Sequence, residues 1–317
     1  MFVHGGTIAV AATDTQESRT ESVDPRRARS ARLMSMSLPD NRSHLFLDGD
    51  ADTLPTTATE EDHMPALTTP HIDIHRAGDR LKTRIQWLDS KHSFSFGHNY
   101  DPDNTHHGLL LVNNDDIVQP GQGFDTHPHK DMEIVTWVLR GSLVHQDSIG
   151  HSGVIYPGLA QRMSAGTGIL HSEKNDSWRM QGDEHRDPVR FIQMWVMPDE
   201  AGITPGYEQL EIGDELLAGG LVPVASGMAQ HKDHAAIRIK NKYASLHAAR
   251  LQPGKPVQIP EAPFVHVFLT QGSAEMAGVG TLYEGDAVRL TASGGQTITS
   301  ETGAEILVWE MHARLGG

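Results

Sequence analysis

His127-Pro128-His129 and His171-Ser172-Glu173 place three imidazoles and a carboxylate in a glycine-rich, strand-like part of the chain. Successive side chains of an extended segment point to opposite faces, so residues i and i+2 share one. His127 and His129 therefore aim together, and so do His171 and Glu173. Two such pairs on neighbouring strands give four convergent donors, which can bind one divalent metal and leave coordination positions open. The first pair alone carries little weight. A chain with 20 histidines in 317 residues contains roughly one His-x-His by chance, and such a pair is as readily a surface feature near a turn. Both pairs in one strand-rich setting argue for convergence.

Neutral imidazoles and a carboxylate suit iron, nickel, manganese, copper or zinc, so ligand type alone does not choose the metal. Four protein ligands leave about two positions of an octahedron for water, substrate or dioxygen. A substrate hydroxyl bound there loses its proton more easily, because the cation stabilises the oxyanion. Glu173 is then both a ligand and a candidate proton acceptor. Glu133 is the second candidate catalytic carboxylate. It either faces the same cavity, as a ligand's partner or a base, or stands in solvent at the start of a strand.

The elements that must position these residues are short strands. Met132 to Leu139 is rich in β-branched and apolar residues and ends at Arg140-Gly141; Ser142 to Asp147 follows, closed by Gly150 and Gly153. Tyr156-Pro157-Gly158 marks a turn before Gln161-Arg162-Met163, and Ala165-Gly166-Thr167-Gly168 leads into Ile169 to Glu173. Short strands with Gly/Pro punctuation predict an all-β sandwich or barrel. There is no cysteine, which excludes disulfides, thiolate metal sites and a cysteine nucleophile. The net charge of -15 opposes non-specific phosphate contact, so direct nucleic-acid binding is not expected. No run approaches the 18 or so apolar residues of a membrane span, and no secretory signal is present. The expected location is cytoplasmic.

The length suggests about two domains. Residues 1–70 have Phe2 and Phe46 as their only aromatics, and such a segment cannot bury enough apolar surface to offset its ordering entropy. They are expected to form a disordered extension, with Met64 a candidate natural start. Beyond them an internal echo stands out. Val138-Leu139-Arg140-Gly141-Ser142 resembles Leu269-Thr270-Gln271-Gly272-Ser273, and the stretch from Tyr156 to Ala165 resembles Tyr283 to Ala292. One β fold used twice explains both matches. Projected across, His127 and His129 fall on Gln258 and Pro260, and His171 and Glu173 on Ile298 and Ser300. The second copy has lost the donors, which predicts one metal per chain, in the first copy.

Phe191, Gln193 and Trp195 share a strand face. Core packing is the expected role of the two aromatics, and Gln193 is expected to hydrogen-bond a ligand or bound oxygen. His106-His107 and His231-x-x-His234 lack a convergent partner set, and surface placement is expected.

Gly123-Phe124-Asp125-Thr126-His127-Pro128-His129-Lys130-Asp131-Met132-Glu133 resembles the first cupin motif as it occurs in pirins, and Ser164 to Glu173 resembles the second. Phe94-Ser95-Phe96-Gly97-His98-Asn99-Tyr100-Asp101-Pro102 is similar to the bacterial branch of that family. The resemblance runs from about His71 to the C-terminus. It implies two tandem cupin barrels (jelly-roll, double-stranded β-helix), with residues 71–200 the N-terminal metal-binding domain, 201–220 the connection and 221–317 a C-terminal cupin without metal. It further implies a metal, commonly iron(II), held by His127, His129, His171 and Glu173, with nickel, manganese, copper or zinc as alternatives. The implied activity is a quercetin 2,3-dioxygenase-like reaction, in which a flavonol and dioxygen react, the heterocycle opens and carbon monoxide leaves. The alternative is a non-enzymatic pirin-type regulator that binds a protein partner, its metal acting as redox sensor or structural ion.

Overall fold

A computed structural model describes residues 70–178 and 187–316. The extension expected over residues 1–70, apart from Pro70, and the candidate start at Met64 lie outside the described residues. The chain begins with β1 (His71–His75), β2 (Leu81–Arg84), β3 (Leu88–His92) and β4 (Leu110–Val118). β5 (Gly123–His129), β6 (Glu133–Arg140), β7 (Leu143–Asp147), β8 (Ser152–Ile155), β9 (Leu159–Ser164) and β10 (Ile169–Lys174) follow in quick succession. β11 (Val189–Val196), β12 (Gly206–Glu211) and one helical turn, α1 (Gly213–Leu216), lead to the second half. That half holds β13 (Val222–Ser226), β14 (Ala244–Leu251), β15 (Val257–Gln258), β16 (Glu261–Met276), β17 (Gly280–Tyr283), β18 (Ala287–Gly294), β19 (Thr297–Thr299) and β20 (Ala304–Met311). No helix among the described residues is long and apolar enough to cross a membrane.

The first barrel has two sheets, ordered β12-β9-β6-β11-β4-β3-β2 and β5-β10-β7-β8. Val138, Leu143, Ile155, Leu159, Val189 and Phe191 pack between them. The second barrel is one sheet system along β1-β18-β16-β20-β14-β13, with β15, β17 and β19 joined to it. β16 is long enough to serve both of its faces, and its register shifts between Leu269 and Gln271 where it bends. A bulge of this kind turns a strand from one sheet into the other.

β6 is buried along nearly its whole length, which its run of Ile, Val, Trp and Leu allows. One face carries Ile134 and Val138 into the first barrel. The other carries Val135, Trp137 and Leu139 into a core shared with Leu246, Phe268, Leu307 and Trp309 of the second. The two tryptophans also satisfy their N–H groups across this core. Trp137 Nε1 donates to Glu305 Oε1 (2.9 Å) and Trp309 Nε1 meets Met194 Sδ (3.3 Å).

The echoed segments occupy equivalent turns. Gly141 and Gly272 have φ of 77° and 82°, and Gly158 and Gly285 have 91° and 86°. Side-chain-bearing residues rarely adopt this region, so both glycine pairs answer to the same backbone shape. Two features differ from the sequence-based boundaries. β1, expected in the first domain, pairs along its whole length with β18 of the second barrel. β12, inside the expected connection over 201–220, pairs with β9 of the first. Strand exchange between neighbouring sheets depends on non-local pairing, which local sequence pattern does not encode.

Candidate metal centre

β5 and β10 are antiparallel neighbours, and their register sets His171 opposite His127 and Ile169 opposite His129. The register shifts between His171 and Glu173. Gly123 makes this approach possible: a Cβ there would overlap the Glu173 carbonyl oxygen. The result is a cage of rings. Centroids of His127, His129 and His171 lie 4.5–4.9 Å apart, and each residue offers a ligand atom within 4.8 Å of the others. His127 Nε2 and His171 Nε2 are 3.1 Å apart.

A fourth imidazole belongs to this cluster. His145 on β7 has its Nδ1 3.5 Å from His171 Nδ1, and His145, His171 and Glu173 form a second compact group, also within 4.8 Å. Among the described residues the donors thus form two overlapping triads that share His171. The sequence signal for His145 was available: His145-Gln146-Asp147 repeats the i, i+2 spacing of the other donor pairs on an adjacent strand. Asp147 Oδ2 lies 3.4 Å from His145 Nε2 and 2.9 Å from His151 Nδ1.

One contact sets the tautomer of neutral His127. His127 Nδ1 is 2.7 Å from the Asp125 carbonyl, which only accepts, so this nitrogen carries the hydrogen and Nε2 keeps its lone pair. His171 Nε2 lies within hydrogen-bonding reach of that lone pair. His129 Nε2 is buried with no hydrogen-bond partner. Burial, reinforced by the neighbouring imidazoles, pushes His129 down to about 3 and His171 down to about 2. Three convergent imidazoles, two of them held neutral by burial, fit a divalent cation.

Glu173 is buried, with 2% exposure. Gln193 Nε2 on β11 contacts both of its oxygens, at 3.0 and 2.8 Å, and Trp195 Nε1 donates to Gln193 Oε1 (3.0 Å). Such outer contacts orient a ligating carboxylate. Trp195 stands edge-on to His129 at 4.9 Å and to Phe96 at 5.6 Å. Phe124 lies 6.3 Å from His127. His127 and His129 are half-buried whereas His171 is buried, so the cage opens toward an aromatic rim. Of the strand-face trio, Phe191 packs in the core and the other two line the site.

Glu133 sits elsewhere. A turn with Asp131 at φ 48° separates β5 from β6, and the two strands belong to different sheets. Glu133 shares the face of Val135 and Trp137, toward the second barrel. Its Oε2 accepts from the Lys240 backbone N–H (3.0 Å) and lies 4.0 Å from Arg162 Nε. Burial raises its pKa, opposed by these contacts. The structure does not bring it to the histidines. His107 is not a surface residue either: it is buried, with Nε2 3.2 Å from the carbonyls of both Val265 and Leu290. In the second barrel the projected positions are Gln258 on β15, Pro260 just after it, Ile298 on β19 and Ser300 just after that, and Val257, next to Gln258, pairs with Ile298. Both belong to a continuous apolar cluster.

The family described as Pirin matches residues 46–196. The chain is 59% identical over 248 residues to a Mycobacterium tuberculosis protein named "Putative quercetin 2,3-dioxygenase", covering 78% of this chain and 98% of that one. It is 49% identical over 138 residues to a "Quercetin 2,3-dioxygenase" of Escherichia coli, covering 44% of this chain and 57% of that protein. Among solved structures, the bacterial pirin YhhW from Escherichia coli in complex with nickel(II) superposes with a TM-score of 0.67 at 33% identity, over 77% of this chain and 100% of that one.

Proposed function

Because the chain belongs to the pirin family, we propose that it is a metal-dependent oxygenase that opens a flavonol such as quercetin with dioxygen. We assign His127, His129, His171 and Glu173 as the ligands of one iron(II). The observation that carries this reading is the convergence of the His127, His129 and His171 imidazoles beside the buried Glu173 carboxylate. When bound, the cation would act as a Lewis acid that makes a coordinated hydroxyl more acidic and gathers negative charge. The protein's own residues do the rest. Gln193 donates to both Glu173 oxygens and so holds the carboxylate in place, where it can take the proton of the flavonol 3-hydroxyl. Trp195, Phe96 and Phe124 offer ring faces and edges for a flat aromatic substrate. Glu133 has no part in the reaction, given its place between the barrels.

Incubating iron-loaded protein with quercetin, with and without air, tests this. Loss of flavonol absorbance only in air, with carbon monoxide released, is expected. Equal and negligible loss in both contradicts it. A protein that binds the metal yet leaves the flavonol intact would instead fit the regulator, with its metal as sensor or structural ion.

A further inference from the structure

We propose that the second barrel holds a divalent cation of its own, at a site formed by His231, His247 and Glu310. These three residues offer ligand atoms within 4.8 Å of one another. His247 lies on β14 and Glu310 on the adjacent β20, with Ser245 opposite Glu310 and His247 opposite Val308. Their strand neighbours Leu246, Ala248, Trp309 and Met311 face the shared core between the barrels. Alternation therefore turns His247 and Glu310 the other way, into the second barrel. Both are buried, at 6% and 7% exposure. His231 ends a 3-10 turn that lies over them, its ring edge-on to His247 at 5.2 Å.

Each carboxylate oxygen of Glu310 already has an imidazole nitrogen beside it. Oε1 is 2.9 Å from His312 Nε2 and Oε2 is 3.0 Å from His247 Nε2. Ser226 Oγ is 3.0 Å from His231 Nδ1. His312 and Ser226 thus stand where outer partners of metal ligands stand, each holding one ligand in orientation. Two imidazoles and a carboxylate supply three protein ligands and leave a position open, a donor set that suits zinc and its neighbours.

The position within the fold separates this cluster from any remnant of the first. Gly141 and Gly272 equate Thr136 with Val267, and their β-partners are Gln193 and Val308. Glu310 is then the counterpart of Trp195. The cluster occupies the matching end of the second barrel, but on β14 and β20 instead of the strands that lost their donors. On this proposal the chain holds two cations, where the sequence led to the expectation of one, in the first barrel.

The test is a zinc titration of the chelator-stripped full chain, counting ions retained after dialysis. Wild type should hold about two ions, His127→Ala/His171→Ala about one, His231→Ala/His247→Ala about one, and the fourfold variant none. No ion in His127→Ala/His171→Ala, or an unchanged count in His231→Ala/His247→Ala, would mean that Glu310 is only hydrogen-bonded to its histidines, and would overturn the proposal. If the double alanine variant loses its far-UV circular dichroism, the isosteric Glu310→Gln replaces it. Wild-type crystals grown with zinc need no variant at all. An anomalous peak among His231, His247 and Glu310 supports the site, and a peak confined to the first barrel refutes it.

Discussion

The two barrels share turns, glycine conformations and strand order, yet their interiors diverge at one pair of strands. β5 and β10 carry His127, His129, His171 and Glu173, whereas β15 and β19 carry Val257 and Ile298 inside an apolar cluster. The lesson is that the scaffold holds its shape with either filling. In the second barrel, buried aliphatic side chains stabilise the strand ends directly. In the first, His129 Nε2 is kept buried without a partner at a cost in stability, which a cation can offset on binding.

The contrast predicts effects of graded size. His129→Ala should lower flavonol turnover by more than the about 10–100-fold typical of outer metal partners, measured as kcat/KM for quercetin. A change of under threefold would remove His129 from the ligand set. Gln193→Ala, which frees Glu173, should weaken metal affinity by about 10–100-fold in a competition assay with a chelator. Val308→Ala, its counterpart in the apolar barrel, should leave that affinity unchanged while lowering the melting temperature.

Stability should distinguish the barrels too. His129 and His171 titrate at about 3 and about 2 when folded, below the ordinary histidine value of about 6.5. Below about pH 6.5 the unfolded chain takes up protons that the folded chain refuses. Their contribution is therefore fully present above pH 6.5 and is lost as pH falls toward the folded values. Denaturant melts of metal-free protein from pH 7 to pH 5 should show this decline, and a His129→Gln/His171→Gln variant should show a smaller one. Between the barrels, Trp137→Phe strips Glu305 of a buried donor and should cost about 1–3 kcal/mol by the same melts. His266 is fully buried with neither ring nitrogen partnered, so His266→Leu should be neutral or stabilising by about 1 kcal/mol.

Much of this was readable from residues alone, because strand parity is local. The i, i+2 spacing within each donor pair put His127 with His129 and His171 with Glu173. The repeated Gly141/Gly272 and Gly158/Gly285 turns announced the duplication. Parity fails across turns, which is why Glu133 was misjudged: the chain changes sheets between His129 and Glu133, and counting residues no longer tracks a face. His145-Gln146-Asp147 carries the same i, i+2 spacing, but His145 joins the cluster only through the register of β7 against β10. The swap of β1 into the far barrel and the meeting of His231 with His247 and Glu310 also depend on contacts distant in sequence.

The central claim is that His171 sits at the heart of a cation site in the first barrel. Iron(II) binding to the stripped chain, followed under anaerobic conditions for wild type and His171→Ala side by side, tests it most directly. The account predicts that the variant binds one ion fewer per chain and loses the tight phase of the isotherm. Isotherms that coincide for the two proteins would contradict it.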